Sequence, residues 1–272
     1  ILVFWTFQKS SGKRKYWRWY KVERDRTLKT IDAEGLHYKV LNGMIRESLT
    51  DGYQELRLLN VNGQRYIGDG VTFPDRYLEI YGTPGNDLGI FMNGLTIKVF
   101  GNAQDGVANT MNDGEIIIYG SAGDLAGYGM RGGRIFIRDS VGYRIGIHMK
   151  EYQDKIPVIV IGGGSGDFLG EYMAGGRIIS LGLNTSEDEI TGYFCGTGMH
   201  GGAIYIRGKI PEYKLGKETK MIDADENDLE FLKKYIMDFS NYFDLNFDCI
   251  MDRPFYKLIP YNRRPYGRLY AY

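Results

Sequence analysis

A sequence period of about 19 residues governs this chain. Aligned on the residue that closes each short apolar run, the copies end at Gly82, Gly101, Gly120, Asp139, Gly162, Gly182 and Gly208, with steps of 19, 19, 19, 23, 20 and 26. Two positions before each closer stand Ile80, Val99, Ile118, Ile137, Val160, Ser180 and Ile206. Four positions before stand Leu78, Ile97, Ile116, Ile135, Val158, Ile178 and Ile204. A third column is methionine: Met92, Met111, Met130, Met149, Met173 and Met199. Glycines follow most of them, at Gly94, Gly114, Gly133, Gly176 and Gly202.

A unit of this length is too short for a helix pair or a propeller blade. Apolar positions alternate with period two inside each run, so each run reads as a strand with one buried face. Stacking the units buries each column against its own copies. The expected fold is all-β, a right-handed parallel β-helix of seven or eight coils, a rod of roughly 35–40 Å. Methionine suits a core where coils differ in length, because it adapts to irregular gaps.

Four segments follow: a basic arm over 1–30, an N-terminal helix and cap over 31–53, the β-helix over 54–210, and a C-terminal helix with an irregular tail over 211–272. Leu36, Val40, Leu41, Met44, Ile45 and Leu49 predict an amphipathic helix over 33–50, with Asp32 as its cap. Asp225 and Asp228 open a second helix that runs to about Tyr242. The two helices would close the ends of the solenoid.

Composition excludes several functions. Gly is 38 of 272 residues, about twice the usual share of ~7%, while Pro is only 7. Lys+Arg and Asp+Glu are both 34, which argues against a generally basic nucleic-acid binder. The first 30 residues nevertheless hold nine basic and two acidic groups, a solvated arm or one that docks on an acidic partner or RNA. No run approaches the roughly 18 apolar residues of a membrane span. Two cysteines, Cys195 and Cys249, make neither a disulfide framework nor a zinc site, and a reducing, cytoplasmic setting is expected.

Gly127–Gly132 and Gly196–Gly201 both match G-x-G-x-x-G. A dinucleotide fingerprint must open a helix, whereas both copies lead into strands and repeat one coil position, so they read as turns. Asp87, Asp105, Asp124 and Asp167 form a carboxylate ladder with Arg144 in mid-column. Like charges ~5 Å apart repel by about 1 kcal/mol in water. Turn hydrogen bonds, arginine pairing or a cation must relieve them; turn stabilisation is the simplest reading, and a cation or polysaccharide site is the sharper one. Cys195 has only His200 near it in sequence as a base and reads as a packing residue. His148 reads as structural. No residue is assigned as catalytic, cofactor-binding or metal-ligating. The outward column, three before each closer, turns apolar at Ile117, Phe136, Ile159, Ile179 and Tyr205. An exposed stripe of that size is unusual, so a cover is expected, either the chain's own C-terminal segment or a partner.

The run Leu125–Gly133, its copies at 167–176 and 195–202, the segment Val61–Gly68 and the ending Arg264-Pro265-Tyr266-Gly267 resemble the GXGXG domain of glutamate synthase, in particular its stand-alone archaeal-type form. The resemblance implies a non-catalytic right-handed β-helix. It would align a glutamine amidotransferase subunit with a synthase subunit that holds FMN and an iron–sulfur cluster, neither cofactor being bound by this chain. The same fold resembles the β-helical component of formylmethanofuran dehydrogenase, which supplies an alternative set of partners. An independent polysaccharide- or cation-binding β-helix is the remaining alternative.

Overall fold

Nine strands stack in parallel, each pairing with the next copy of itself. The computed structural model describes residues 28–261; the segment 1–27 that makes up nearly all of the basic arm, and the ending 264–267, lie outside the described residues. The strands are β1 (Leu28–Asp32), β2 (Glu55–Asn62), β3 (Tyr77–Thr83), β4 (Asn93–Phe100), β5 (Asp113–Ile118), β6 (Arg134–Ile137), β7 (Val158–Ile161), β8 (Ala174–Ser180) and β9 (Gly201–Arg207). Each is hydrogen-bonded in parallel to the one before it. The result is a parallel β-solenoid of about six turns, slightly fewer than the seven or eight expected. A helix separates β1 from β2, and the last coil is closed by β10 (Thr219–Asp223) and β11 (Phe255–Pro260), which join antiparallel in the order β9-β11-β10.

Inside the stack Leu78, Ile97, Ile116, Ile135, Ile159, Ile178 and Ile204 lie in register, as do Ile80, Val99, Ile118, Ile137, Ile161, Ser180 and Ile206. All are buried, and so are the six methionines Met92 to Met199. One coil departs from the sequence alignment. Ile159 pairs with Ile135, so it faces the core, and Val160, paired with Phe136, takes the outward place. Val158 likewise faces out rather than in. The run Val158-Ile159-Val160-Ile161 is β-branched throughout and buried on both faces. It has no alternation to fix its register.

The N-terminal end of the core is closed by α1 (Tyr38–Thr50), whose Leu41, Ile45 and Leu49 join the core cluster. The helix starts later than the sequence pattern suggests. Its N-cap is His37, whose side chain accepts from the Lys39 amide, while Asp32 ends β1 and accepts from the Glu34 amide at 3.0 Å. Leu28 to Thr30 therefore belong to the sheet and not to the arm.

The C-terminal helix does not close an end. α2 (Glu226–Phe243) lies across the outward side of β5 to β9, where Leu232, Tyr235, Ile236, Phe239 and Phe243 form a second core with Ile117, Phe136, Val160, Ile179 and Tyr205. The reason is apolar area: a wide stripe on the strands meets a matching face on the helix. α3 (Phe247–Met251) adds Ile250 to the same cluster. Asp225 caps α2 in a reciprocal box with Asp228. Asp228 Oδ1 also accepts from Tyr205 Oη at 2.8 Å and Lys257 Nζ at 2.7 Å, tying helix, β9 and β11 together. Burial pushes the Asp228 carboxyl up, but Lys257, Tyr205 and the Asp225 amide outweigh it and hold it below the ordinary carboxylate value. A second pin joins Tyr242 Oη to Glu115 Oε1 at 2.7 Å, and Glu115 pairs with Arg134 at 3.0 Å.

The glycines that start the strands set how closely coils approach. Gly133 has φ +79°, and a Cβ there would stand 2.6 Å from the Gly114 carbonyl oxygen. Gly63 has a matching φ of +78° but open space around it. Gly63→Ala is therefore expected to cost about 1 kcal/mol of stability from the left-handed backbone alone. Gly133→Ala is expected to cost at least about 2 kcal/mol more, since backbone must shift. Urea unfolding of the two variants measures the difference; equal losses would contradict the close-approach account.

Candidate functional site: the glycine-rich corner

Between each strand and its methionine the chain turns through a corner of unusual backbone. Three residues spaced two apart have positive φ: Leu125 (63°), Gly127 (74°) and Gly129 (57°) in one coil, Arg144 (56°), Gly146 (70°) and His148 (56°) in the next. The pattern recurs from Tyr66-Gly68-Gly70 to Phe194-Gly196-Gly198. Such alternation turns successive peptide groups to opposite sides. The Leu125 amide donates to Tyr143 O on the following coil (2.9 Å), Gly127 to Val107 O on the preceding coil (2.7 Å), and Gly129 to Ile147 O on the following one (2.8 Å). Arg144, Gly146 and His148 repeat this with Asp167 O, Ala126 O and Glu171 O at 2.9, 2.8 and 3.0 Å. Each corner is thus bonded to both neighbours through its backbone.

The middle position faces the core and excludes side chains. A Cβ on Gly89, Gly127, Gly146 or Gly170 would come within 2.4–2.7 Å of the Cδ1 of Ile116, Ile159, Ile178 or Ile204. Ala108, with φ +58°, is the exception in this column. The flanking positions face outward and accept larger side chains, among them Phe91, Tyr172 and Phe194. Both G-x-G-x-x-G matches are corners that lead into β6 and β9; neither opens a helix.

The carboxylate ladder splits between two columns. Asp105, Asp124 and Asp167 stand just before the first left-handed residue. Their Oδ1 atoms accept the amides of Asp124 (2.9 Å), Tyr143 (2.8 Å) and Tyr193 (2.8 Å), one coil on. Asp87 and Arg144 are instead left-handed residues themselves. Asp87 accepts from Asn109 Nδ2 at 3.0 Å; Arg144 pairs with Glu171 at 2.9 Å and lies 4.8 Å from the Phe168 ring centre. The ladder carboxylates are accordingly engaged as coil-to-coil acceptors. Among the described residues no group of three or more His, Cys, Asp and Glu is placed to hold a metal ion.

Cys195 is buried in the last corner, and burial alone pushes its thiol up to about 12. His200 Nδ1 lies 3.3 Å from the Gly198 carbonyl oxygen, and His148 stacks on Tyr172 at 5.3 Å. Sequence reasoning missed the outward rings of the corners. Some stand at left-handed positions, Phe91, His148 and Tyr172 each one residue before a methionine of the column, and that spacing is the signal that could have found them.

Fold and corner together define a parallel β-solenoid built on a repeated glycine-rich turn. The GXGXG motif family model matches residues 57–260, and the chain belongs to that family. A relative is the uncharacterized protein MJ1350 of Methanocaldococcus jannaschii, 49% identical over 249 residues that cover 89% of this chain and 95% of the relative. No helix among the described residues is long and apolar enough to cross a membrane.

The two cysteines should separate cleanly. Cys249 is exposed and Cys195 buried. At pH 7 a thiol reagent such as DTNB is expected to modify one thiol per chain rapidly and the second only after denaturation. Fast reaction of both, with Cys195 identified by mass spectrometry, would contradict the packing role.

Proposed function

We propose that the chain is the structural β-solenoid subunit of a glutamate-synthase-like complex. In this reading a glutamine amidotransferase chain releases ammonia, and a chain with FMN and an iron–sulfur cluster adds it to 2-oxoglutarate and reduces the product to glutamate. The solenoid holds the two in alignment, in the cytoplasm. The observation that carries the reading is the family match over three quarters of the chain, on a fold whose repeat positions are spent on coil-to-coil packing and hydrogen bonding. The donor set is consistent with cofactors held elsewhere. An iron–sulfur cluster takes about four thiolates, whereas this chain has two cysteines, one in the solenoid core and one on α3.

The test is affinity purification of the tagged chain from its native extract, with partner identification and an absorbance scan. Co-elution of an amidotransferase chain and a yellow-brown flavin and iron–sulfur chain is expected. Co-elution of molybdopterin-type subunits would contradict the assignment and favour formylmethanofuran dehydrogenase. A colourless chain eluting alone would contradict both.

A further inference from the structure

The solenoid closes most of its surfaces from within, but the corner face has no cover among the described residues. α1 seals one end, β11 and β10 the other, and α2 the outward side of β5 to β9. On the corner face the outward left-handed positions His148, Phe168, Tyr172 and Phe194, with neighbouring tyrosines, carry rings in two rows. In one, Tyr128 meets His148 edge-on (5.9 Å), His148 stacks on Tyr172 (5.3 Å), and Tyr172 lies over the Gly198 backbone. In the other, Arg144 covers Phe168, Phe168 stacks on Phe194 (5.1 Å), and Tyr193 and Tyr213 continue the row. Tyr128, Tyr172, Tyr193, Phe194 and Tyr213 are 39–68% exposed. Held in rows by their neighbours, these rings have little conformational freedom left to lose. Rigid exposed Tyr, Phe and Arg are the side chains that dominate protein–protein interfaces.

Charge indicates what the covering surface brings. A groove along the first row is lined by Tyr128, Arg131, His148, Lys150, Tyr172 and His200, and by no carboxylate. Arg131 and Lys150 make no ion pair with any described residue. The Arg131 Nε–H is shielded from solvent and has no acceptor. A carboxylate supplies the opposite charge to both cations.

We propose that the corner face is the docking surface for a partner protein chain that lays apolar surface on the ring rows and inserts an acidic segment into the Arg131–Lys150 groove. The inference rests on the reading of the chain as one component of an assembly, and it says which face the assembly uses.

The test mixes the purified full chain with the amidotransferase and synthase chains of the same genome and reads complex mass by light scattering and affinity by titration. The double variant R131E/K150E and the variant Y193A are each expected to weaken binding at least tenfold. K150R should retain it. Lys233→Glu, on the exposed side of α2, should leave it unchanged. Each variant should still unfold in one cooperative transition, which separates lost binding from lost fold; Lys150 and Tyr193 are exposed and Arg131 is half-buried. Wild-type binding with equal binding by R131E/K150E and Y193A would overturn the docking face alone. Failure of the wild type to bind either chain would overturn the proposed function and this inference with it. Loss of a wild-type homodimer in the variants, with partner binding intact, would overturn the inference by making the occupant a second copy of the chain.

Discussion

Everything in this protein depends on a backbone conformation that alternates left-handed residues at the corners. In an ordinary turn the amides close on themselves or on water. Here Leu125, Gly127 and Gly129 send theirs forward, back and forward again to adjacent coils. A corner therefore has no satisfied structure without both neighbours, which makes the stack cooperative along its length. The same geometry partitions chemistry. The inward middle position admits only Gly or Ala, because the isoleucines occupy that space. The outward positions are free to vary and carry aromatic and charged groups.

The second constraint is apolar area on the wrong side of the strands. From β5 to β9 both faces of the sheet are buried, so a single layer of coil cannot satisfy them. α2 resolves this by lying along the stripe, and Asp228 fixes its position by accepting from Tyr205 and Lys257 at once. Before β5 the outward column is polar instead. Arg57 pairs with Glu79 at 2.9 Å, Lys98 follows, and no helix is required there. The distribution of outward residues thus dictates how far the helix extends.

Much of this architecture is legible in the sequence because a solenoid repeats its constraints. The Ile, Val and Met columns identify strand, core and stacking axis, and the Leu232, Tyr235, Ile236 and Phe239 face identifies α2. Legibility fails where the repeat carries no contrast. Val158 to Ile161 is apolar at every position, and the longer loop before it removes the spacing as a guide, so Ile159 and Val160 exchange faces. The ladder fails differently. Counted from the strand closers, Asp87 and Arg144 fall in with Asp105, Asp124 and Asp167, but counted to the next methionine they stand five residues before it and the other three stand six before, and that one-residue offset is the difference in backbone handedness. α1 begins after Asp32 because β1 pairs with β2 first, a long-range contact that overrides a local capping signal.

The most direct measurement of the central claim is amide hydrogen exchange resolved to single residues. The corner amides of Gly127, Gly146 and Gly170, all buried donors to the preceding coil, should exchange as slowly as those of Ile116 or Ile135 in the strands, since opening one requires parting two coils. Corner amides that exchange at loop rates while the strands stay protected would contradict the account, and would place the cohesion of the solenoid in its strands alone.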